Sequence, residues 1–220
     1  MPGPTTSSHV MTAQQVRDAE REAMRTVTEP VLMARAADAV AAECESLLAQ
    51  RFGRTHGSRV VVLAGSGNNG GDALLAGARL HYRGADTTAI LVASQAHDMG
   101  RGECEAAGAR VLEVSASDDA AALRAIEEAD LVIDGIVGVG ANPGLRPPAD
   151  ALVASIPASA VVVAVDLPSG LDVDSGAADA PHVRADVTVT FTAPKPCLVE
   201  QPAAASAGRV VVAQVGVPRR

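Results

Sequence analysis

Arg59-Val-Val-Val-Leu-Ala-Gly-Ser-Gly-Asn-Asn-Gly-Gly-Asp72 decides the fold, because a β-branched run ends abruptly in four glycines, two asparagines and an acid. Residues 59–64 are too short for a helix and rich in valine, so they read as a buried strand. Ala73-Leu-Leu-Ala-Gly-Ala-Arg-Leu80 then resumes with helix-compatible residues. The glycine-rich stretch therefore links a strand to a helix. Backbone N–H groups at a helix start have no intrahelical partner and carry the positive end of the dipole. Glycines that let a ligand approach make this connection a natural phosphate site.

The spacing Gly65-x-Gly67-x-x-Gly70 also meets the dinucleotide-binding fingerprint. An oxidoreductase of that type needs more: an acid about 20 residues further on, at the end of the next strand, to hold the ribose hydroxyls. That strand reads as residues 87–93, followed by Ser94 and Gln95, and the nearest acid, Asp86, precedes it. The NAD(P)-dependent oxidoreductase reading thus lacks its second requirement. A plain tight turn would explain some of the glycines but not the whole loop.

Outward from this unit, strands and helices alternate. Strands are expected near 59–64, 87–93, 110–114, 131–134 and 160–165, and helices near 71–83, 99–108, 118–129 and 147–155. Asp186-Val-Thr-Val-Thr-Phe191 and Arg209-Val-Val-Val-Ala213 add two more strands. Alternation of this kind predicts an α/β fold, a mostly parallel sheet covered by helices on both sides, with ligands at the carboxyl ends of its strands. Towards the N-terminus, Thr12-Ala-Gln-Gln15 has the spacing of a capping box, which starts a helix running to about Thr26. Pro30 fits the first turn of a second helix, in which Met33, Ala36, Ala37, Val40, Ala41, Cys44, Leu47 and Leu48 recur at spacings of three and four. Residues 1–10 read as a flexible polar tail and 11–220 as a single domain.

Composition excludes several function classes. A net charge of -8 leaves no basic stripe for nucleic-acid phosphates, and Arg219 and Arg220 are too few for a basic tail. Only Phe52, Phe191 and Tyr82 are aromatic, so little is available for stacking on bases. No apolar run reaches the roughly 20 residues of a membrane span, and Met1-Pro-Gly-Pro-Thr-Thr-Ser-Ser-His9 lacks the regions of a signal peptide. A cytoplasmic protein is expected. Cys44, Cys104 and Cys197 form no Cys-x-x-Cys, which argues against a disulfide framework and a zinc site. Cys44 belongs to an apolar helix face.

If the sheet is parallel, the loops after 59–64, 131–134 and 160–165 open on one edge. Asp134 ends the second of these strands and leads into Gly-Ile-Val-Gly-Val-Gly-Ala-Asn-Pro-Gly-Leu-Arg-Pro-Pro148. Asp166 ends the third, before Leu-Pro-Ser-Gly-Leu-Asp-Val-Asp-Ser-Gly176. Either acid alone could cap a turn or the next helix. Two of them beside a phosphate-type loop point to a shared cleft.

At this level of detail the chain resembles a known family. Gly67-Asn-Asn-Gly-Gly-Asp72, Asp134-Gly-Ile-x-Gly-x-Gly with Leu145-Arg146-x-Pro148, Val165-Asp-x-Pro-Ser-Gly-Leu-Asp172 and Thr190-Phe-x-Ala-Pro-Lys-Pro196 are similar to the successive signatures of NAD(P)H-hydrate epimerases, the YjeF N-terminal domain family. The similarity runs in order from Thr12 through Gly208-Arg-Val-x-Val-Ala-x-x-Gly-Val-Pro218. It implies a Rossmann-like three-layer α/β/α sandwich, a homodimer, a bound potassium ion, and epimerisation of hydrated NADH and NADPH (NADHX and NADPHX). It also implies a working partnership with an NAD(P)H-hydrate dehydratase, a domain often fused to this one and for which this chain has no room.

Carried over by position, the resemblance gives substrate contacts to Asn68, Asn69, Gly70, Gly71 and Asp72, and to Gly138, Val139, Gly140, Ala141, Asn142, Pro143 and Gly144. It makes Asn69, Asp134 and Ser169 potassium ligands, and Asp166 the substrate-contacting acid and leading catalytic candidate. Two departures stand out: Ala73, where many relatives continue the glycine run, and Ala141-Asn-Pro143 within the glycine-rich segment. The chemistry agrees with the family. A hydroxyl on the carbon next to the nicotinamide ring nitrogen leaves with help from the nitrogen lone pair and a proton donor. Re-addition of water to the other face, with Asp166 giving and taking the proton, inverts the centre by general acid–base catalysis; ring opening is the alternative route. Amide, carboxylate and hydroxyl oxygens are the ligand class of a hard cation.

Other groups carry weaker signals. Lys195, between two prolines, reads as a solvated loop residue that could approach a phosphate. Asp172 and Asp174 shape the turn after Pro168. His9, His56, His81, His97 and His182 show no metal-ligand spacing. The competing reading from another class is a non-catalytic nucleotide-binding or scaffolding module of the same fold.

Overall fold

The computed structural model describes residues 10–93, 95–114 and 119–217. The N-terminal tail apart from Val10, Ser94 after the second strand, Pro218 of the last signature and the Arg219–Arg220 end lie outside the described residues. Seven strands form one sheet in the order β3-β2-β1-β4-β5-β6-β7. They are β1 (Arg59–Ala64), β2 (Asp86–Leu91), β3 (Arg110–Glu113), β4 (Leu131–Gly135), β5 (Val161–Val165), β6 (Val187–Phe191) and β7 (Arg209–Ala213). Every neighbouring pair is parallel.

The sheet is covered on both faces, as a parallel sheet must be. Alternation along β1 shows how: Val60, Val62 and Ala64 join the core under α2 (Glu29–Phe52), α3 (Asn68–Tyr82) and α4 (Asp98–Ala107). Val61 and Leu63 point the other way, towards Ala122 and Ile126 of α5 (Ala120–Glu127) and Leu152 of α6 (Ala149–Ala154). A smaller cluster around Leu167, Leu171, Val173 and Cys197 packs the segment after β5 onto the short α7 (Pro196–Val199) and a 3₁₀ turn, Ala203–Ser206. Sequence patterning did not anticipate these last two elements, which are too short for periodicity to register. Helix α1 (Ala13–Ala23) starts on the expected capping box, with Gln15 N–H donating to Thr12 Oγ1 at 3.3 Å and Thr12 N–H to Gln15 Oε1 at 2.8 Å. It ends at Ala23, three residues short of the expected Thr26, because Met24 to Val27 close a turn onto Glu20, Glu22 and Ala23 carbonyls.

The largest boundary correction bears on function. The loop after β1 is only Gly65-Ser66-Gly67, and α3 begins at Asn68 rather than near residue 71. Asn and Gly are poor inside a helix, which is why the pattern suggested a later start. In the first turn their amides need no intrahelical partner, and that objection disappears.

Candidate active site

The strand order puts β1, β4 and β5 side by side, so the turns after Ala64, Gly135 and Val165 converge on one edge. The first turn delivers the N-terminus of α3. Gly67 occupies the N-cap and has no side chain to satisfy the amides of Asn68, Asn69 and Gly70. Two glycines here are required by packing: a Cβ on Gly65 would sit 1.9 Å from the Ile136 carbonyl oxygen, and one on Gly70 2.1 Å from the Gly65 oxygen. Close packing of helix on strand is the role of the third fingerprint glycine. Gly71 is placed differently from its neighbours, because its Cα faces Met33 and His97.

The second and third turns are locked together by Asp134 and Ser169. The fully buried Asp134 accepts from Ser169 Oγ at 2.6 Å and Ile136 N–H at 3.3 Å on one oxygen, and from Ser169 N–H at 2.8 Å on the other. Burial pushes its carboxyl up to about 6, against the opposing pull of the Ser169 and Ile136 donors. No cationic side chain pairs with it among the described residues. Asn69 reaches the same place from α3, its amide nitrogen donating to the Val165 carbonyl at 2.9 Å and lying 3.5 Å from that of Val137. Gly138 passes so close that a Cβ there would lie 2.3 Å from that nitrogen. Thus Asn69, Asp134 and Ser169, which the family resemblance makes one ligand set, do come together, with two backbone carbonyls beside them. The donors are oxygen-rich and contain one buried carboxylate lacking a counter-charge, which suits a potassium ion.

Asp166 adopts a left-handed backbone, with φ of 69°. Only a few per cent of non-glycine residues do so, Asp among the more tolerant. This conformation turns its side chain back over β6, where one oxygen accepts from Thr190 Oγ1 at 3.0 Å and Phe191 N–H at 3.3 Å. The same oxygen accepts from Lys195 Nζ, which also donates to Thr190 Oγ1 at 2.8 Å and to the Phe191 carbonyl at 3.1 Å. Lys195 is completely buried. The solvated-loop reading of this lysine is therefore corrected: its carboxylate partner lies 29 residues away and could not be seen locally.

Around these groups lies a cleft of about 480 Å³. The α3 N-terminus, Gly138, Val139, Ala141, Asp166, Asp72 and Glu20 all line it. Asp72 is 6% exposed and one of its oxygens has no hydrogen-bond partner among the described residues. Burial raises its carboxyl well above the usual range, and the charges of Asp166 and Glu20 add to the effect. Glu20, on α1, is raised too, first by burial and then by Asp166. Sequence reading passed over Glu20, although it interrupts the stripe Ala13, Val16, Ala23 on the buried face of α1.

A second cleft of about 370 Å³ lies across the same loop, over the end of β2, and takes in Gly140, Asn142 and Gly144. Pro143 lines neither. Asp172 shapes the turn after Pro168 as expected, accepting from Asp174 N–H at 3.2 Å, whereas the Asp174 side chain accepts from Ala13 N–H at 2.7 Å at the start of α1.

Comparison with known proteins assigns the chain to a family. The family described as "YjeF-related protein N-terminus" matches residues 29–197. The chain belongs to this family. Family members of similar sequence include a "Bifunctional NAD(P)H-hydrate repair enzyme Nnr" of Mycobacterium leprae, 41% identical over 95% of this chain and 42% of the relative. The chain thus spans about two-fifths of the length of such bifunctional relatives. An "NAD(P)H-hydrate epimerase" of Limosilactobacillus fermentum is 34% identical over 94% of this chain and 97% of its own. A crystal structure of a yeast protein superimposes with a TM-score of 0.74 at 27% identity, covering 86% of this chain and 82% of the other.

Proposed function

We propose that this YjeF-family chain is an NAD(P)H-hydrate epimerase, interconverting the R and S epimers of hydrated NADH and NADPH in nicotinamide nucleotide repair. One observation carries the reading: a helix N-terminus without a capping side chain opens into a cleft holding acids in two different settings. Asp166 is ion-paired to Lys195, while Asp72 is buried, partnerless on one oxygen, and raised. The same cleft thus offers a site for a pyrophosphate, a proton acceptor and a proton donor. The names of the relatives that align over nearly the whole chain support the same assignment.

In this reading the open amides of Asn68 to Gly70 bind the pyrophosphate and the nicotinamide ring lies towards Asp166. Neutral Asp72 gives its proton to the ring hydroxyl, which departs as water while the ring-nitrogen lone pair forms the C=N bond. Water then adds to the opposite face and Asp166 takes its proton; reversing the roles runs the reaction backwards. The sequence alone assigned both proton steps to Asp166. Its anchoring by Lys195 and Thr190 favours dividing them. A potassium ion held by Asn69, Asp134 and Ser169 would tie the three loops together and offset pyrophosphate charge in a cleft that also carries Glu20, Glu29, Asp72 and Asp166. A homodimer, cytoplasmic action and cooperation with an NAD(P)H-hydrate dehydratase complete the proposal, the last supported by the bifunctional relatives.

The test is incubation with one purified epimer. Appearance of the other well above the uncatalysed rate is expected. Tight binding without conversion would instead identify a nucleotide-binding module.

A further inference from the structure

We infer that the second cleft receives the adenosine half of the substrate and that Arg146 recognises a 2′-phosphate there, so that hydrated NADPH is preferred over hydrated NADH. This rests on the epimerase reading for the identity of the substrate, but its observations are separate. The two clefts share Ser66, Ile136, Val137 and Ala141, so they flank one loop and the turn leading into α3. A dinucleotide whose pyrophosphate sits at the start of α3 has one half on each side. The catalytic acids occupy the β5 side, which leaves the β2 side for adenosine, the arrangement that strand order imposes at a sheet switch point.

The lining suits that half. Val92, Ala93 and Leu145 give apolar walls, and Arg146 is the sole charged residue among the described lining. Among the described residues Arg146 has no carboxylate within ion-pair distance. The nearest acid along the chain, Asp150, accepts the N–H of Ala151 at 2.8 Å. The backbone holding Arg146 is fixed from outside its loop, with Gly144 N–H donating to Gly170 at 2.8 Å and Leu145 N–H to Pro181 at 2.9 Å. A guanidinium so placed, in a protein of net charge -8, is matched to a phosphate dianion. The missing acid after β2 has the same consequence. A carboxylate there would grip a 2′-hydroxyl and repel a 2′-phosphate, whereas β2 ends at Leu91 and is followed by Val92 and Ala93.

The test compares the parent chain with Arg146→Gln and Arg146→Lys on hydrated NADH and hydrated NADPH, with ADP-ribose and 2′-phospho-ADP-ribose as binding probes. The parent should bind 2′-phospho-ADP-ribose about tenfold more tightly than ADP-ribose, and Arg146→Gln should equalise the two. The glutamine variant should raise KM for hydrated NADPH by a similar factor with kcat kept, leaving hydrated NADH within about twofold, and lysine should fall between. Equal losses on both substrates would place Arg146 on the pyrophosphate, and no loss on either would remove it from the site; each overturns the inference. Parent protein that discriminates the two probes but converts neither substrate would sink the epimerase reading while leaving this one standing.

Discussion

Lys195 and Asp166 form a buried ion pair behind the cleft that Asp166 lines, joined by Thr190, which accepts from the lysine and donates to the aspartate. The pair fixes a non-glycine residue just past a strand end whose backbone is left-handed, so the catalytic candidate is positioned by β6 and the segment after it. Thr192, directly after β6 and two residues before Pro194, shares the left-handed conformation, with φ of 66°.

Breaking this pair should cost more than losing an ordinary surface bridge. Lys195→Met leaves the Asp166 carboxylate, 5% exposed, without its cation, and should lower unfolding stability by about 3–5 kcal/mol. The double variant Lys195→Met with Asp166→Asn removes the stranded charge and should recover much of that loss. Urea unfolding measures both. A single variant as stable as the parent would mean the pair is not formed in solution.

Asp166→Asn addresses the chemistry. Asparagine also tolerates the left-handed backbone and its amide oxygen can still accept from Lys195 and Thr190, so the turn should survive, at a cost in stability from the uncompensated lysine, while the proton acceptor is lost. Turnover should fall by roughly 10²–10⁴-fold with substrate affinity little changed. Epimerisation at close to the parent rate would make Asp166 a structural residue.

How much of this was legible in the sequence depends on the range over which each signal acts. The strand-to-helix unit from Arg59, the acids at the ends of β4 and β5, and Ser169 sit in local patterns of composition and spacing, and all of them meet on one sheet edge. The start of α3 was misjudged because helix propensity does not apply to a first turn. Lys195 looked solvated because proline neighbours describe its backbone and say nothing of a partner on another strand. Glu20 was the most readable omission. An acid between Val16 and Ala23 interrupts an apolar stripe, and it lines the cleft beside Asp72 and Asp166.

The pH response should follow Asp72. Its carboxyl is raised in the folded protein, so its contribution to stability is fully present below the unfolded-state value and is lost as pH rises through the higher folded-state value. Asp72→Asn carries no such titration, and the parent should lose stability relative to the variant over that rise. Turnover of the parent should decline in the same window as the proton donor ionises, whereas the variant should be slow and flat. Parallel stability curves for the two proteins would contradict a raised Asp72.

Potassium should matter because Asn69, Asp134 and Ser169 come from three separate places in the fold, the first turn of α3, the end of β4 and the turn after β5. Activity should drop when potassium is replaced by tetramethylammonium at equal ionic strength, and Ser169→Ala should weaken the dependence. Gly138→Ala should do the same by displacing the Asn69 amide it would touch. Equal rates in the two salts would remove the ion from the account.

The route of inversion can be read from oxygen. If Asp72 and Asp166 drive loss and return of water, the hydroxyl leaving the ring is replaced by one from solvent, and each inversion in ¹⁸O-labelled water should introduce one labelled oxygen. Ring opening breaks the carbon–nitrogen bond instead, keeps the original oxygen as an aldehyde, and closes on the other face without exchange. Mass spectrometry of the product epimer at early times, before back-reaction scrambles the label, separates the two. Inversion with the original oxygen retained would leave the acids assisting carbon–nitrogen cleavage, and the division of labour between Asp72 and Asp166 would have to be redrawn around the ring nitrogen.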